Sequence, residues 1–438
     1  MQIFRAGLVA ALFASLFACQ PPEPTEAPPP DDTGSVPQPL SSTWAQDVAP
    51  ILSEQCSACH VAGGIAPFAL TSYAEAAPRA MAIKAAVEAK RMPPWMPGGQ
   101  TPQLRHERKL TPEQIALLAR WADDGAPLGD TTHPAAIGPP QDPTFTDPDL
   151  TFDTGADYAP NSNFTDDYRC FVVPLGQSST EMAAAYRVTP GNRKTVHHVI
   201  LALYSADSLP ELQRLDDADP GPGYTCFGGT SAGSTNVTQV GALGGWVPGS
   251  STVEFVPGTA VRLPQGSVAV VQIHYNLAGG TDPDRTRVEV KYAAPGTNPQ
   301  AASTLPLRRA ALNIPPGSKG HLEESTAPAK TWALGRFYPD GDGYLVGVAG
   351  HMHTLGTRIE ITRTNLSGTQ TLLDIPAWDF HWQGFYQLVT PIQLAPTDLL
   401  TVRCTYDNPG ASAVTWGEGT SDEMCIGYLQ VVDNAPAN

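Results

Sequence analysis

Apolar side chains change rhythm along this chain. In the segment from about 43 to 132 they recur three and four apart: Ile115, Leu118 and Trp121, with Ala119 and Ala122, share one helical face. Thr111-Pro112-Glu113 offers a cap and a first-turn proline, and Gly125 a stop. After residue 150 the apolar residues fall into short runs separated by Gly, Pro, Asn and Asp, the spacing of antiparallel strands. The clearest runs are 195–204, 267–277, 285–293, 343–354, 357–364, 398–407 and 423–432. That stretch is too long for one sandwich of roughly 100 residues, so two are predicted, 150–300 and 301–436. The fold class expected is multidomain: a small all-α domain at 43–132, a Pro- and Asp-rich linker at 133–149, then two antiparallel, jelly-roll-like β-sandwich domains.

The first 19 residues carry one Arg and a short apolar run ending in Leu16-Phe17-Ala18-Cys19, which resembles a lipoprotein signal with Cys19 as the acylated residue. Residues 20–42 are Pro-rich and acidic, as an extended tether would be. The chain is thus expected to be exported and held by lipid at the periplasmic or cell-surface side of a membrane, with the outer membrane its expected home. A net charge of −17 over 438 residues excludes nucleic acid as a partner, since phosphate binding needs clustered Lys and Arg. Of seven cysteines, Cys19 goes to lipid and Cys56 and Cys59 to a motif described next. Cys170, Cys226, Cys404 and Cys425 can pair in three ways; pairing 170 with 226 and 404 with 425 keeps each bond within one predicted domain.

Cys56-Ser57-Ala58-Cys59-His60 is a C-x-x-C-H sequence, the attachment pattern for c-type haem: two thiols add to the vinyls and the adjacent imidazole takes an axial position. The second axial ligand should lie downstream. Met92, in Arg91-Met92-Pro93-Pro94-Trp95, is the first candidate, ahead of Met96 and then His106. Met-Pro-Pro at this point resembles the ligand loop of small class I cytochromes c, so the 43–132 domain is expected to be a cytochrome c domain.

Six further side chains carry metal chemistry: His197 and His198, His274, His351 and His353, and Met424. Imidazole suits copper and zinc, whereas a thioether is soft and favours Cu(I), so three histidines and a His-His-Met set read as two unequal copper sites. Singly each signal is modest. A lone strand histidine is more often a packed core residue, and a lone Met core filling. Strand parity makes the set testable: Gln272 and His274 share a face, His351 and His353 share a face, and Met424, Ile426 and Tyr428 face away from Cys425. His197 and His198 are adjacent and can share a metal only if the strand bulges or ends there.

His197-His198, Gln272-Ile273-His274-Tyr275, H-M-H-T-L-G at 351–356 and S-D-E-M-C at 421–425 resemble the copper type II, ascorbate-dependent monooxygenases, over roughly residues 150 to 435. The resemblance implies an electron-transfer copper on His197, His198 and His274, and an O2-activating copper on His351, His353 and Met424. It also implies roles for Gln272 near the first copper and Tyr428 near the substrate cleft, and a disulfide matching Cys404–Cys425. The peptidylglycine members carry an Arg and an Asn that hold a substrate carboxylate, where this chain has Ala349 and Ile426. The expected function is hydroxylation of a C–H bond in a small organic substrate by O2. Electrons would enter from an upstream donor through the fused haem, and the cofactors would be two copper ions and one covalent haem. The alternative is a lipid-anchored electron-transfer or copper-binding protein without catalysis. Trp378-Asp379-Phe380-His381-Trp382 reads as packed aromatic core rather than cleft lining, and Asp216-Asp217-Ala218-Asp219 as a solvated loop.

Overall fold

The capping signal at Thr111 forms a reciprocal box. Its hydroxyl accepts the Gln114 backbone N–H, and the Gln114 side chain accepts the Thr111 N–H, opening the helix Pro112–Asp123. Gly125 lies at φ +80°, where an L side chain is disfavoured, and ends it. Leu118, Trp121 and Ala122 share a buried core with Leu52 of the helix Ala49–Gln55 and with Ile83 and Val87 of the helix Ala80–Glu88. The chain around the C-x-x-C-H motif is therefore a small helical module.

The computed structural model describes residues 42–64, 66–136, 146–226, 229–248, 250, 252–332, 343–417, 419 and 421–436. The leader with Cys19, the tether up to residue 41 and linker residues 137–145 lie outside the described residues. The described ends of that linker are docked. Ala135 N–H donates to Ala45 O at 2.8 Å, and Lys291 Nζ donates to Asp147 O at 2.7 Å. Among the described residues no helix is long and apolar enough to cross a membrane.

Four main sheets follow. Strands Tyr224–Thr225, Asp166–Pro174, Val268–Asn276, Val196–Tyr204 and Gln239–Trp246 make one, in that order. It packs on a second containing Leu150–Asp153, Arg287–Tyr292, Glu181–Thr189 and Thr259–Leu263, around Phe171, Val199, Leu201, Val271, Ile273 and Val290. The third runs Ser303–Arg308, Ile426–Val432, Gly343–His351, Phe385–Leu394. The fourth runs His321–Pro328, Leu399–Tyr406, Gly356–Asn365, Gly368–Ile375, and the two enclose Leu345, Val348, Ile359, Val402 and Leu429. Sheet partners change at Ala302: Gln300–Ala301 pairs with Thr259–Ala260, whereas Ser303–Arg308 pairs with Ile426–Val431. A smaller apolar cluster of Val256, Ala302, Val346 and Val432, with Gln387 Nε2 donating to Glu254 O at 2.6 Å, joins the two halves.

Both disulfides are formed as each half requires, Cys170–Cys226 and Cys404–Cys425, which fits folding in an oxidising compartment. Cys404 and Cys425 are fully buried in the core between the third and fourth sheets. Their bond closes a loop of 21 residues. Replacing both by serine should cost about 3 kcal/mol in denaturant unfolding of the C-terminal half; a loss too small to resolve would show that packing alone fixes this corner.

Candidate metal centres

Pairing between the strands 196–204 and 268–276 slips at the first residues: Val196 opposes Tyr275, yet His198 opposes His274. The extra residue is His197, and this irregularity lets adjacent imidazoles turn to one side. The ring nitrogens of His197, His198 and His274 all lie within 4.8 Å of one another. Nδ1 of His198 is 3.4 Å from Nδ1 of His197 and 3.4 Å from Nδ1 of His274. Three such nitrogens facing one point cannot all be satisfied by each other's protons, whereas a cation at that point takes all three lone pairs.

The rest of the site orients the rings. Asp166 Oδ1 meets His274 Nε2 at 2.8 Å, so the Nε2 proton is held there and Nδ1 is left as the ligand atom. That bond to His274 also holds the Asp166 carboxyl below its usual range. Tyr168 stacks flat on His274, centroids 4.3 Å apart and 5° from parallel. Burial pushes His197 down to about 4, reinforced by the charges of His274 and His381. Burial likewise pushes His198 well below its usual range, with the surrounding imidazoles adding to it. His197 Nε2 is buried without a hydrogen-bond partner. Gln272 does not bond to these rings; its Nε2 donates to Cys226 O at 3.2 Å, because the disulfide loop lies nearer on that face.

The second group forms where two strands end together. His351 opposes Ile426 in the antiparallel ladder, so two steps further the same register sets His353 opposite Met424. Glu423 fastens the junction. Its buried carboxylate accepts backbone N–H groups from His353 at 2.8 Å, Leu355 at 2.6 Å and Met424 at 3.2 Å. Burial outweighs these bonds and pushes its pKa up to about 7. His353 Nδ1 contacts Asp422 O at 3.0 Å and His351 Nδ1 contacts Gln383 Oε1 at 2.6 Å, leaving both Nε2 atoms as the available donors. The two rings stand 5.2 Å apart and nearly perpendicular. Burial lowers His351 to about 4 and lowers His353 as well. Met424 is buried, and Tyr406 Oη donates to its carbonyl at 2.8 Å. Tyr428 is half-buried, opposite Ala349 and Pro306.

The two groups occupy the outer faces of different sheets, and those faces meet. Phe380 packs against a ring of each, 5.5 Å from the His197 ring at 23° and 5.9 Å from the His353 ring at 76°. His381 stands 6.0 Å from His197. The aromatic stretch 378–382 is thus partly buried core, as Trp378 and Phe380 are, but its Phe380 ring also contacts a histidine of each group. Asp166 gave no signal in the sequence beyond its residue type, while Phe380 and Glu423 lay in motifs singled out there without these roles.

In the helical module the cysteines are free and His60 Nδ1 meets Phe68 O at 3.0 Å, which leaves Nε2 as the unengaged ring nitrogen. Burial pushes the Cys56 thiol up to about 12. Met92 and Met96 part company: Met96 Sδ accepts the Asp379 N–H at 3.3 Å and packs on the C-terminal core, and His106 is exposed.

Residues 311–435 match the family model described as copper type II ascorbate-dependent monooxygenase, C-terminal domain. The chain is similar, at 25% identity over 61% of its length, to peptidyl-glycine alpha-amidating monooxygenase A of Xenopus laevis, covering 28% of that protein. It is 25% identical over 73% of its length to DBH-like monooxygenase protein 2 of Mus musculus, covering 53% of it. Over 74% of its length it is 25% identical to putative DBH-like monooxygenase protein 2 of Homo sapiens, covering 66% of it. The chain spans less than two thirds of the length of each of these relatives. A solved structure, the major capsid protein P2 from bacteriophage PM2, matches 65% of this chain and 100% of that one at TM-score 0.23 and 11% identity, too low to bear on the fold.

The lowered imidazole values set a pH window. Unfolded chain takes up protons on histidine below about 6.5, while folded His197 and His351 refuse them until about 4. The histidines of the metal-free protein should therefore make it lose stability as pH falls between the two, partly offset by Glu423, whose raised value acts the opposite way. Replacing His351 by Gln should flatten the slope in thermal unfolding scans; an unchanged slope would contradict burial of the neutral ring. Glu423→Ala strands three buried N–H groups and should cost about 3 kcal/mol or more. Metal analysis should then find the His351/His353 centre emptied and the three-histidine centre still loaded, and loss at both or neither would contradict the assignment of Glu423 to one site.

Proposed function

We propose that this chain is a copper-dependent monooxygenase that hydroxylates a C–H bond of a small organic molecule. The observation that carries the reading is the convergence of three Nδ1 atoms on one sheet face opposite a His-x-His and Met424 set on the other. Copper at the two centres would supply the stepwise one-electron reduction of O2, and haem the electrons. His197, His198 and His274 hold one centre through Nδ1, with Asp166 fixing the His274 tautomer. His351 and His353 present Nε2 to the other, and the Met424 thioether favours the reduced metal there. Cys56, Cys59, His60 and Met92 would hold the haem. Ala349 and Ile426 are buried and apolar at the positions where a carboxylate clamp would stand, which favours a neutral substrate. An acylated Cys19 would keep the exported protein on a membrane, the outer membrane being the reading carried by the leader, beside an upstream electron donor.

A second reading, electron transfer without oxygen insertion, is favoured by one observation: a single ring, Phe380, packs against His197 of one group and His353 of the other. Turnover of reduced holoprotein under 18O2 with neutral organic extracts separates the two. Labelled alcohols are expected from the parent protein, and Met424→Ile should lower their yield by more than the ~100-fold that loss of an outer-shell partner can cost. Equal yields in parent and variant would remove Met424 from the oxygen site, and oxidised haem with no labelled product would select the second reading.

A further inference from the structure

Between the helices Ala80–Glu88 and Pro112–Asp123 of the helical module, residues 95–105 run as a strap along the C-terminal half. Leu104 opposes Leu388, with Arg105 N–H donating to Gln387 O at 2.8 Å and Val389 N–H to Gln103 O at 3.0 Å. The strap thus pairs with Phe385–Leu394, the edge strand of the third sheet. It also bonds to Gly368–Ile375, an edge of the fourth. Gly98 N–H donates to Asp374 O at 2.8 Å, and the Thr101 hydroxyl accepts the Asp374 N–H at 2.8 Å and donates to its carbonyl at 3.2 Å. Gly99 lies at φ +54°, and a Cβ there would collide with the Asp374 carboxylate, so only glycine lets the chain pass this close. Leu104 is buried in the core of the C-terminal half, and Trp95 and Met96 pack against that core.

The turn 376–384 joins those two edge strands and carries the groups that meet the histidines. Its shape is fixed from within. The Asp379 carboxylate accepts the His381 N–H at 2.9 Å, and the Asp379 carbonyl accepts the Trp382 N–H at 3.1 Å. Gln383 Nε2 donates to Phe380 O at 3.0 Å, which turns Oε1 toward His351 Nδ1 at 2.6 Å, so the imidazole must be the donor there. The place of the turn is fixed from outside. Trp378 donates its N–H to Thr357 O at 2.9 Å and its Nε1–H to His353 O at 3.1 Å. The next N–H, that of Asp379, donates to Met96 Sδ in the strap at 3.3 Å. Trp95 stands edge-on to Tyr386 at 5.3 Å and keeps Met96 over the turn.

We propose that Met96 is a positioning residue for the centre of His351, His353 and Met424. By accepting the Asp379 N–H it sets the turn so that Gln383 holds the His351 proton on Nδ1 and Nε2 is left for the metal. The helical module is then part of this centre's support. The inference rests on the copper reading given above for what Nε2 binds, but not for the tautomer, which exists without metal. A thioether in the role of apolar filler is replaceable by Leu, whereas in the role of acceptor it is replaceable by Gln, unbranched and carrying an oxygen. The three-histidine centre takes its orienting group, Asp166, from its own sandwich, so the His274 tautomer serves as an internal reference.

Nitrogen NMR of metal-free, full-length protein with labelled histidine reads the ring tautomers at neutral pH. In the parent protein His351 should carry its proton on Nδ1 and His274 on Nε2. Met96→Leu should leave His351 a mixture of both forms with His274 unchanged, and Met96→Gln should restore the Nδ1 form. Anaerobic competition for Cu(I) against a coloured chelator should find the His351 centre about tenfold weaker in Met96→Leu. The three-histidine centre should be unchanged, and Met96→Gln should bind as the parent does. A parent His351 protonated on Nε2 overturns the inference with no variant needed. So does Met96→Leu with parent tautomers and affinity, equal weakening at both centres, or Met96→Gln behaving as Met96→Leu. Parent protein with the expected tautomers that takes up no Cu(I) at His351 and His353 overturns the copper reading instead, and leaves the tautomer assignment standing.

Discussion

Neighbouring residues of a regular strand point to opposite faces, so His197 and His198 can serve one metal only where the ladder breaks. The slip between Val196 and His198 against the 268–276 strand is that break, and much of the rest is arranged around it. His274 sits at the facing position with its Nε2 held by Asp166, and Tyr168 lies flat on its ring. The second group solves the same problem differently. There the strands simply stop, and a buried carboxylate, Glu423, gathers the freed N–H groups of the turn so that His353 and Met424 stay in register beyond the last ladder bond. In both places irregular backbone, rather than regular sheet, sets the ligand geometry.

Bringing these two irregular spots together demands that the sandwiches be fixed against each other. The Val256, Ala302, Val346 and Val432 cluster and the Gln387 to Glu254 bond do this at one edge, and Phe380 contacts a histidine of each group. A segment of the helical module adds backbone bonds to the C-terminal half through Gly98, Gln103 and Arg105. A consequence is electrostatic: protonating one imidazole group disfavours protonating the other, since His351 and His353 both act on His198. Burial and mutual repulsion keep the rings neutral, which is the form a metal needs.

Much of this was readable from sequence, for physical reasons that differ by element. The strands around 196–204, 268–276, 343–351 and 399–406 announced themselves because each buries one face or both, leaving apolar runs between turn residues. The helix Pro112–Asp123 carried its own cap and stop. The disulfides followed from keeping each pair in one half. What was hidden depends on contacts between distant segments. Asp166 and His274 are 108 residues apart, and nothing local marks either as the other's partner. Phe380 looked like core filling because its neighbour Trp378 is core. Gln272 shares a face with His274 but is claimed by Cys226, and Met96 is claimed by Asp379, since the nearer backbone group wins in each case. Strand parity can say which way a side chain points, but not what arrives there.

The central claim is that two unlike centres exist, three imidazoles at one and two imidazoles with a thioether at the other. X-ray absorption at the copper edge, on protein titrated anaerobically with Cu(I), tests it most directly. The account predicts saturation at two copper ions per chain, with nitrogen shells throughout and one sulfur scatterer shared between the pair on average. Saturation at a single ion, or two ions with no sulfur in the first shell, would contradict it.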